Sequence, residues 1–270
     1  MRCLYLDLDG TLLGANASLM HDGEGAVSLL GMRAIEACLR AEVEVVLTSG
    51  RRRAQVAEDA RLLGQASYIY ELGAALVLDG EELWLTGDLV PDERTIHDQI
   101  TDSGAPALLL ERYAGRLEYH APWHVNREVS HLFRGLIDVP EAEGLMAEAG
   151  LGHLRLVDNG VLRHRSDDLA ALPLVRAYHL LPTGASKPGA VDRHMQARGL
   201  QRPETFAVGD SREDLTLAEV VGSFWLVANG LTRDPEIKEL LAAFSNVRMC
   251  EEPHGAGVYE AVIATLVEAR

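Results

Sequence analysis

The 270 residues are 47% hydrophobic, enough to build a sizeable core and to exclude wholesale disorder. Acidic residues outnumber basic ones 41 to 25, and the resulting net charge of −16 argues against binding a nucleic-acid backbone. Three separated cysteines, Cys3, Cys38 and Cys250, form no CxxC pair, which argues against a disulfide framework or a zinc site and fits a reducing compartment.

No apolar stretch is long enough to span a bilayer, so no membrane partner is expected. The apolar run near the start is interrupted by Asp7 and Asp9, unlike a signal peptide, and the expected location is cytoplasmic.

"CLYLDL" at 3–8 predicts a short buried strand. Residues 31–41 place Ile35, Cys38 and Leu39 at helical spacing. "VEVVLTSG" is a β-branched run ending in Thr48, Ser49 and Gly50, and "RRRAQVAEDARLLG" predicts a helix closed by Gly64. "SYIYELGAAL" predicts a further strand, and "ALVLDGEELWLT" a hairpin turning at Asp79-Gly80. Strand–helix alternation with short links predicts an α/β fold, a Rossmann-like doubly wound parallel sheet.

Residues 82–182 break this rhythm and predict an inserted α+β module, leaving 1–81 and 183–270 as the core. The module is rich in His and Arg. "EYHAPWHVNREVSHLFRG" (118–135) predicts an amphipathic helix with Val129, Leu132 and Phe133 inward. "DNGVLRHR" predicts a hairpin out of Asp158-Asn159-Gly160, with Arg163 and Arg165 on one face. The first rhythm resumes at "GASKPGAVDRHMQARGL", a turn and a helix ending at Gly199. "ETFAVGDS" and "SFWLVANG" predict strands, with a short helix at "EDLTLAEVVG" between them; "NVRMCEE" and a last helix follow.

Ligands of open α/β sheets bind beyond the carboxyl ends of the strands. Those ends carry Asp7 and Asp9, then Thr48 and Ser49, then Asp210 with Asp214 four residues on, while Lys187 lies at a turn into a helix. Carboxylates crowded together need a compensating cation, and Mg²⁺ suits one or two carboxylates plus phosphate. Residues 7 and 9 of one strand share a side, so both can address one substrate, and Gly10 lets the chain turn away sharply.

"DLDGT" (7–11), "VVLTSGR", "GASKPGAV" and "GDSREDL", in that order, resemble the four motifs of the haloacid dehalogenase superfamily of phosphohydrolases. The insertion of about 100 residues between the second and third motifs resembles that superfamily's large α/β cap, the kind carried by its sugar-phosphatase branch. Glu213 stands where the fourth motif commonly has Asn, and "YIYELGA" where "ENGA" is usual.

The resemblance implies that Asp7 is a nucleophile forming an aspartyl-phosphate and that Asp9 is the general acid/base. Thr11, Ser49, Gly50 and Lys187 would bind the phosphoryl group, with Thr48 an alternative to Ser49 as the second motif's hydroxyl. Asp7, the Asp9 carbonyl and Asp210 would hold Mg²⁺. Asp214 would orient Lys187 or a metal-bound water. Ser49 has a second reading as the cap of the following helix. In the inserted module, one or two of Arg127, Arg134 and Arg165 are expected at the substrate. The expected activity is hydrolysis of a small phosphorylated metabolite, a sugar or polyol phosphate foremost. A phosphomutase of the same fold and a non-catalytic phosphate or Mg²⁺ sensor are the alternatives.

Overall fold

The computed structural model describes residues 1–162 and 164–269; Arg163, expected to share a face with Arg165, lies outside them. The chain divides into two compact units, Met1–Leu83 with Lys187–Arg270, and Trp84–Ser186. Among the described residues, no helix is long and apolar enough to cross a membrane.

The first stretch runs β1 (Cys3–Leu6), α1 (Leu30–Arg40), β2 (Glu44–Thr48), α2 (Arg53–Leu62), β3 (Tyr68–Tyr70), β4 (Ala75–Leu78) and β5 (Glu81–Trp84). The inserted unit contains α3 (Ile96–Asp102), α4 (Ala105–Arg112), β6 (Leu117–Tyr119), β7 (His131–Gly135), α5 (Val139–Glu148), β8 (Leu154–Val161) and β9 (Arg176–Pro182). The chain then returns through α6 (Lys187–Arg198), β10 (Thr205–Gly209), α7 (Arg212–Leu215), β11 (Ser223–Leu226), α8 (Ala228–Arg233), α9 (Ile237–Leu240), β12 (Val247–Met249) and α10 (His254–Glu268).

The large sheet has the order β12-β11-β10-β1-β2-β3-β4-β5. It is parallel from β12 to β3, an α/β arrangement, but β4 returns antiparallel to β3. The single strand expected across "SYIYELGAAL" is therefore two. Glu71, Leu72 and Gly73 take positive φ of 45°, 58° and 88° and reverse the chain between them. The hairpin turn at Asp79-Gly80 is present, both residues being left-handed as a two-residue hairpin demands.

β1 is central, and Cys3, Leu4, Tyr5 and Leu6 are all 0% exposed. A strand covered on both faces reads as a continuous apolar run rather than an alternating one. Each such side chain stabilises the fold by roughly 1.5–3 kcal/mol. α1 buries Gly31, Ala34, Ile35 and Cys38 and packs against α10. That stripe ends at Cys38; Leu39 lies about 100° further round the helix and is exposed. Gly64 and Gly199 follow α2 and α6 with φ of 69° and 62°, left-handed positions suited to a residue without Cβ.

The inserted unit is a four-stranded antiparallel sheet, β6-β7-β9-β8, with α5 against β8 and α4 against β6. Two sequence expectations fail here. Residues 118–135 form β6, a loop and β7 rather than a helix, although Val129, Leu132 and Phe133 are buried. Their spacing fits either period, and pairing of β7 with both β6 and β9 decides for strand. Asp158-Asn159-Gly160 is not a turn: β8 runs through it, with a register irregularity against β9 between Asp158 and Val161.

On β7, His131 is 1% exposed and stacks on His97 with ring centroids 3.8 Å apart. Its Nε2 lies 3.0 Å from the His97 carbonyl oxygen. Burial, with the neighbouring His97 ring, pushes its pKa down to about 4 from 6.5. The unfolded chain therefore binds more protons between those values, and stability falls as pH drops from 6.5 towards 4. We expect His131→Phe to flatten this slope, measured as the urea midpoint against pH, by up to about 3 kcal/mol over the window. An unchanged slope would exclude His131 as its source.

Candidate active site

The order of the large sheet reverses at β1, which lies between β10 and β2. That is the topological switch point where an open α/β sheet forms its ligand crevice. The register pairs Leu6 with both Val208 and Leu47, so three strands end at nearly one level. Asp7, Asp210 and the Thr48-Ser49 pair emerge there.

Lys187, the first residue of α6, is 1% exposed. Its Nζ donates to Asp7 Oδ1 at 3.1 Å and to Asp214 Oδ1 at 2.5 Å. Asp214 is used on both oxygens. Its Oδ2 accepts from the Ser211 hydroxyl at 2.6 Å and from the backbone N–H groups of Ser211 and Asp210 at 3.2 and 3.3 Å. Ser211 and Asp214 form a capping box that starts α7. This bonding makes Asp214 the residue that aims Lys187. Glu213, in the Asn position, is buried and adds negative charge near Lys187.

Burial raises the Asp7 carboxyl well above the usual carboxylate range, and the charge of Asp214 adds to it while Lys187 opposes. Burial pushes Asp210 up to about 6, opposed by Arg233 and reinforced by Asp214. Burial alone would lower Lys187, but Asp214 and Asp7 outweigh it and hold the ammonium above its ordinary value.

Asp210 Oδ1 accepts from the Thr11 hydroxyl at 3.4 Å, and its Oδ2 from Arg233 Nη1 at 2.6 Å. Gly10, with φ of 89°, leaves room for this: a Cβ there would lie 2.4 Å from Asp210 Oδ2. Asn229 Nδ2 holds the Gly10 carbonyl at 2.8 Å and so fixes the turn.

Asp9 is turned away from this group. Both its oxygens accept from Arg51, Nε and Nη2 at 2.6 Å each, and its side chain is 55% exposed. Arg51 also bonds Asp59 at 2.8 Å. The Ser49 hydroxyl accepts from the Arg51 N–H at 3.2 Å, while the N-cap of α2 is Arg52, so Ser49 is not that helix's cap. The Thr48 hydroxyl is fully buried and makes no hydrogen bond.

Oxygens of Asp7, Asp210 and Asp214 lie within 4.8 Å of one another, all three residues being buried. This hard-oxygen set fits Mg²⁺. Asp7 and Asp210 are the members able to serve it, because Asp214 is saturated by Lys187 and Ser211.

In the inserted unit, Arg127 is 7% exposed and donates to Ser130 Oγ at 3.0 Å and to the Trp123 carbonyl at 3.1 Å. Arg134 pairs with Glu118 at 2.6 Å. Arg165 donates to the Leu172 and Pro173 carbonyls. Arg51 and Arg233 were not among the residues singled out from sequence. Arg51 had a signal, lying two residues beyond Ser49 in "TSGR". Arg233 had none, since only the return of α8 to the Gly10 turn brings it in.

No family model matches the chain. It is 28% identical to a phosphoglycolate phosphatase of Halorubrum lacusprofundi over 248 residues, covering 90% of this chain and 91% of that one. Its structure is similar to the sucrose-phosphatase of Synechocystis, solved with sucrose and phosphate, with a TM-score of 0.66, 16% identity and 98% coverage of each chain. A haloacid dehalogenase-like hydrolase of Bacillus subtilis matches with a TM-score of 0.63 and 18% identity, covering 97% of this chain and 99% of that one. Fold and site together define an α/β protein with an inserted second unit and an acidic centre at the switch point of its large sheet. In sequence the chain is similar to phosphoglycolate phosphatases, and in fold to haloacid dehalogenase-like hydrolases.

Proposed function

We propose that the protein is a Mg²⁺-dependent phosphomonoesterase that works through an aspartyl-phosphate on Asp7. The carrying observation is Lys187, buried and bonded to both Asp7 and Asp214 beside Asp210. An ammonium buried against two carboxylates at the switch point is placed to neutralise the charge of a transferred phosphoryl group.

In this reading an Asp7 oxygen attacks phosphorus while the ester oxygen departs, taking a proton from Asp9. Water then attacks the acyl phosphate, with Asp9 as base, and releases inorganic phosphate and the free Asp7 carboxylate. Lys187 neutralises the phosphoryl oxygens and fixes Asp7. Ser49, with Thr48 as the alternative, would donate a hydroxyl hydrogen bond to a phosphoryl oxygen at the end of β2, and Thr11 and Gly50 would border the same place. Asp7, the Asp9 carbonyl and Asp210 would hold Mg²⁺, which when bound would supply further charge neutralisation at the phosphoryl group. Asp9 reaches the leaving oxygen only by exchanging Arg51 for substrate.

The similarity to phosphoglycolate phosphatases and a sucrose-phosphatase supports a small phosphorylated metabolite as substrate. The inserted unit is assigned the recognition of the leaving group, with one or two of Arg127, Arg134 and Arg165 as its cationic contacts once their present partners are exchanged. The test is phosphate release from phosphoglycolate and a set of sugar phosphates, with Mg²⁺ and with EDTA. At least one is expected to be hydrolysed only with the metal, and Asp9→Asn to be slower by about 10²–10⁴-fold. Isomerisation without phosphate release would mark a mutase; no metal-dependent turnover on any substrate would sink the reading.

A further inference from the structure

Asp210 carries a guanidinium that the phosphatase chemistry does not use. Arg233 Nη1 lies 2.6 Å from Asp210 Oδ2, on the carboxylate assigned to the divalent ion. The local structure is arranged for this contact. Gly230 lets α8 approach Asp210 closely, since a Cβ there would lie 2.6 Å from the Asp210 carbonyl oxygen. Asp234, next in the chain, is gripped by Arg212 through two bonds of 2.6 and 2.7 Å, which anchors the end of α8. At the other side Gly10 leaves the space: a Cβ would lie 2.5 Å from Arg233 Nη1.

The two cations of the cluster differ in exposure. Lys187 is 1% exposed and held by two carboxylates, whereas the Arg233 side chain is 31% exposed and has a path to solvent. Without a divalent ion, Asp7, Asp210 and Asp214 repel one another, and Arg233 reduces that repulsion. A guanidinium bonded to Asp210 Oδ2 and a divalent ion on the same carboxylate repel at short range, so each weakens the binding of the other.

We propose that Arg233 is a built-in counter-cation that competes with the divalent ion for Asp210, so that its departure accompanies ion binding and sets the ion's affinity. This rests on the phosphatase reading, which assigns Asp210 to the ion. Arg233 is a positioning residue for the site's charge rather than a catalytic one.

The test is Mg²⁺ titration by calorimetry and by thermal shift on wild type, Arg233→Met and Asp210→Asn. Arg233→Met is expected to melt lower than wild type without Mg²⁺, to gain more from Mg²⁺, and to bind it about five- to tenfold more tightly. Should that variant not fold, Arg233→Lys is measured instead, and its compact ammonium, lacking the guanidinium fork, is expected to give about two- to threefold tighter binding. Equal or weaker binding in the Arg233 variant, with binding abolished by Asp210→Asn, overturns the competition and leaves the phosphatase reading intact. Absence of Mg²⁺ binding in wild type and Arg233→Met alike overturns the assignment of Asp210 to the ion.

Discussion

Asp7→Asn is expected to lose metal-dependent hydrolysis of p-nitrophenyl phosphate by at least about a thousandfold, because an amide cannot form the acyl phosphate. The same substitution is expected to leave the fold intact or make it more stable. Asn keeps the shape of Asp, and its amide oxygen can accept the 3.1 Å bond from Lys187. Burial holds the Asp7 carboxyl well above its ordinary range, so at neutral pH its ionised form is disfavoured in the folded state. For a carboxylate whose folded pKa is raised, the destabilisation is present at neutral pH and disappears as pH falls towards the unfolded value. A neutral isostere removes it, and a gain of about 1 kcal/mol at pH 7 is expected from the urea midpoint. Loss of activity with retained or raised stability would mark a residue kept for chemistry. More than a tenth of wild-type turnover in this variant would remove Asp7 from the nucleophile's role.

How far the site was legible from sequence depended on how local each signal was. Asp7, Ser49 and Asp210 each follow an apolar run directly, so the ends of β1, β2 and β10 could be read from periodicity and joined by the rule for open sheets. Lys187 was legible through "GASKPG", a turn feeding a helix. Arg233 was not, because it stands 23 positions from Asp210 and becomes a neighbour only when α8 folds back over Gly10. The orientation of Asp9 was also hidden. Period two puts residues 7 and 9 on one side of a strand, but β1 ends at Leu6, and Asp9 belongs to the turn that Gly10 opens. It points to Arg51 instead. In the inserted unit the buried residues were read correctly and the element was not. Val129, Leu132 and Phe133 satisfy a helical stripe, and only pairing with β6 and β9 makes the last two strand residues.

Lys187→Met is expected to be the most destabilising single change at the site. It leaves Asp7 and Asp214 buried and close, with no ammonium between them. Removing one partner of a buried ion pair costs about 3–5 kcal/mol, because the remaining charge is uncompensated. The cost should depend on pH in a definite direction. Asp7, already raised by burial and no longer opposed by the ammonium, would rise further in the folded protein, so the loss is greatest at neutral pH and shrinks as pH falls and Asp7 takes up its proton. Lys187→Met/Asp214→Asn removes one of the two charges and should recover part of the loss, giving a coupling energy in the double-mutant cycle. Turnover should not recover with it, since the phosphoryl group would still lack its fixed cation. Urea midpoints at pH 5 and 7 for wild type, Lys187→Met, Asp214→Asn and the double variant, with phosphate release measured beside them, check this. If Lys187→Met lies within 1 kcal/mol of wild type at pH 7, the acidic cluster is held by something other than this lysine. Recovered stability without recovered turnover would mean that the bridge serves two separable purposes. It makes a cluster of buried carboxylates foldable, and it aims Asp7 for attack while opposing the burial that raises its carboxyl.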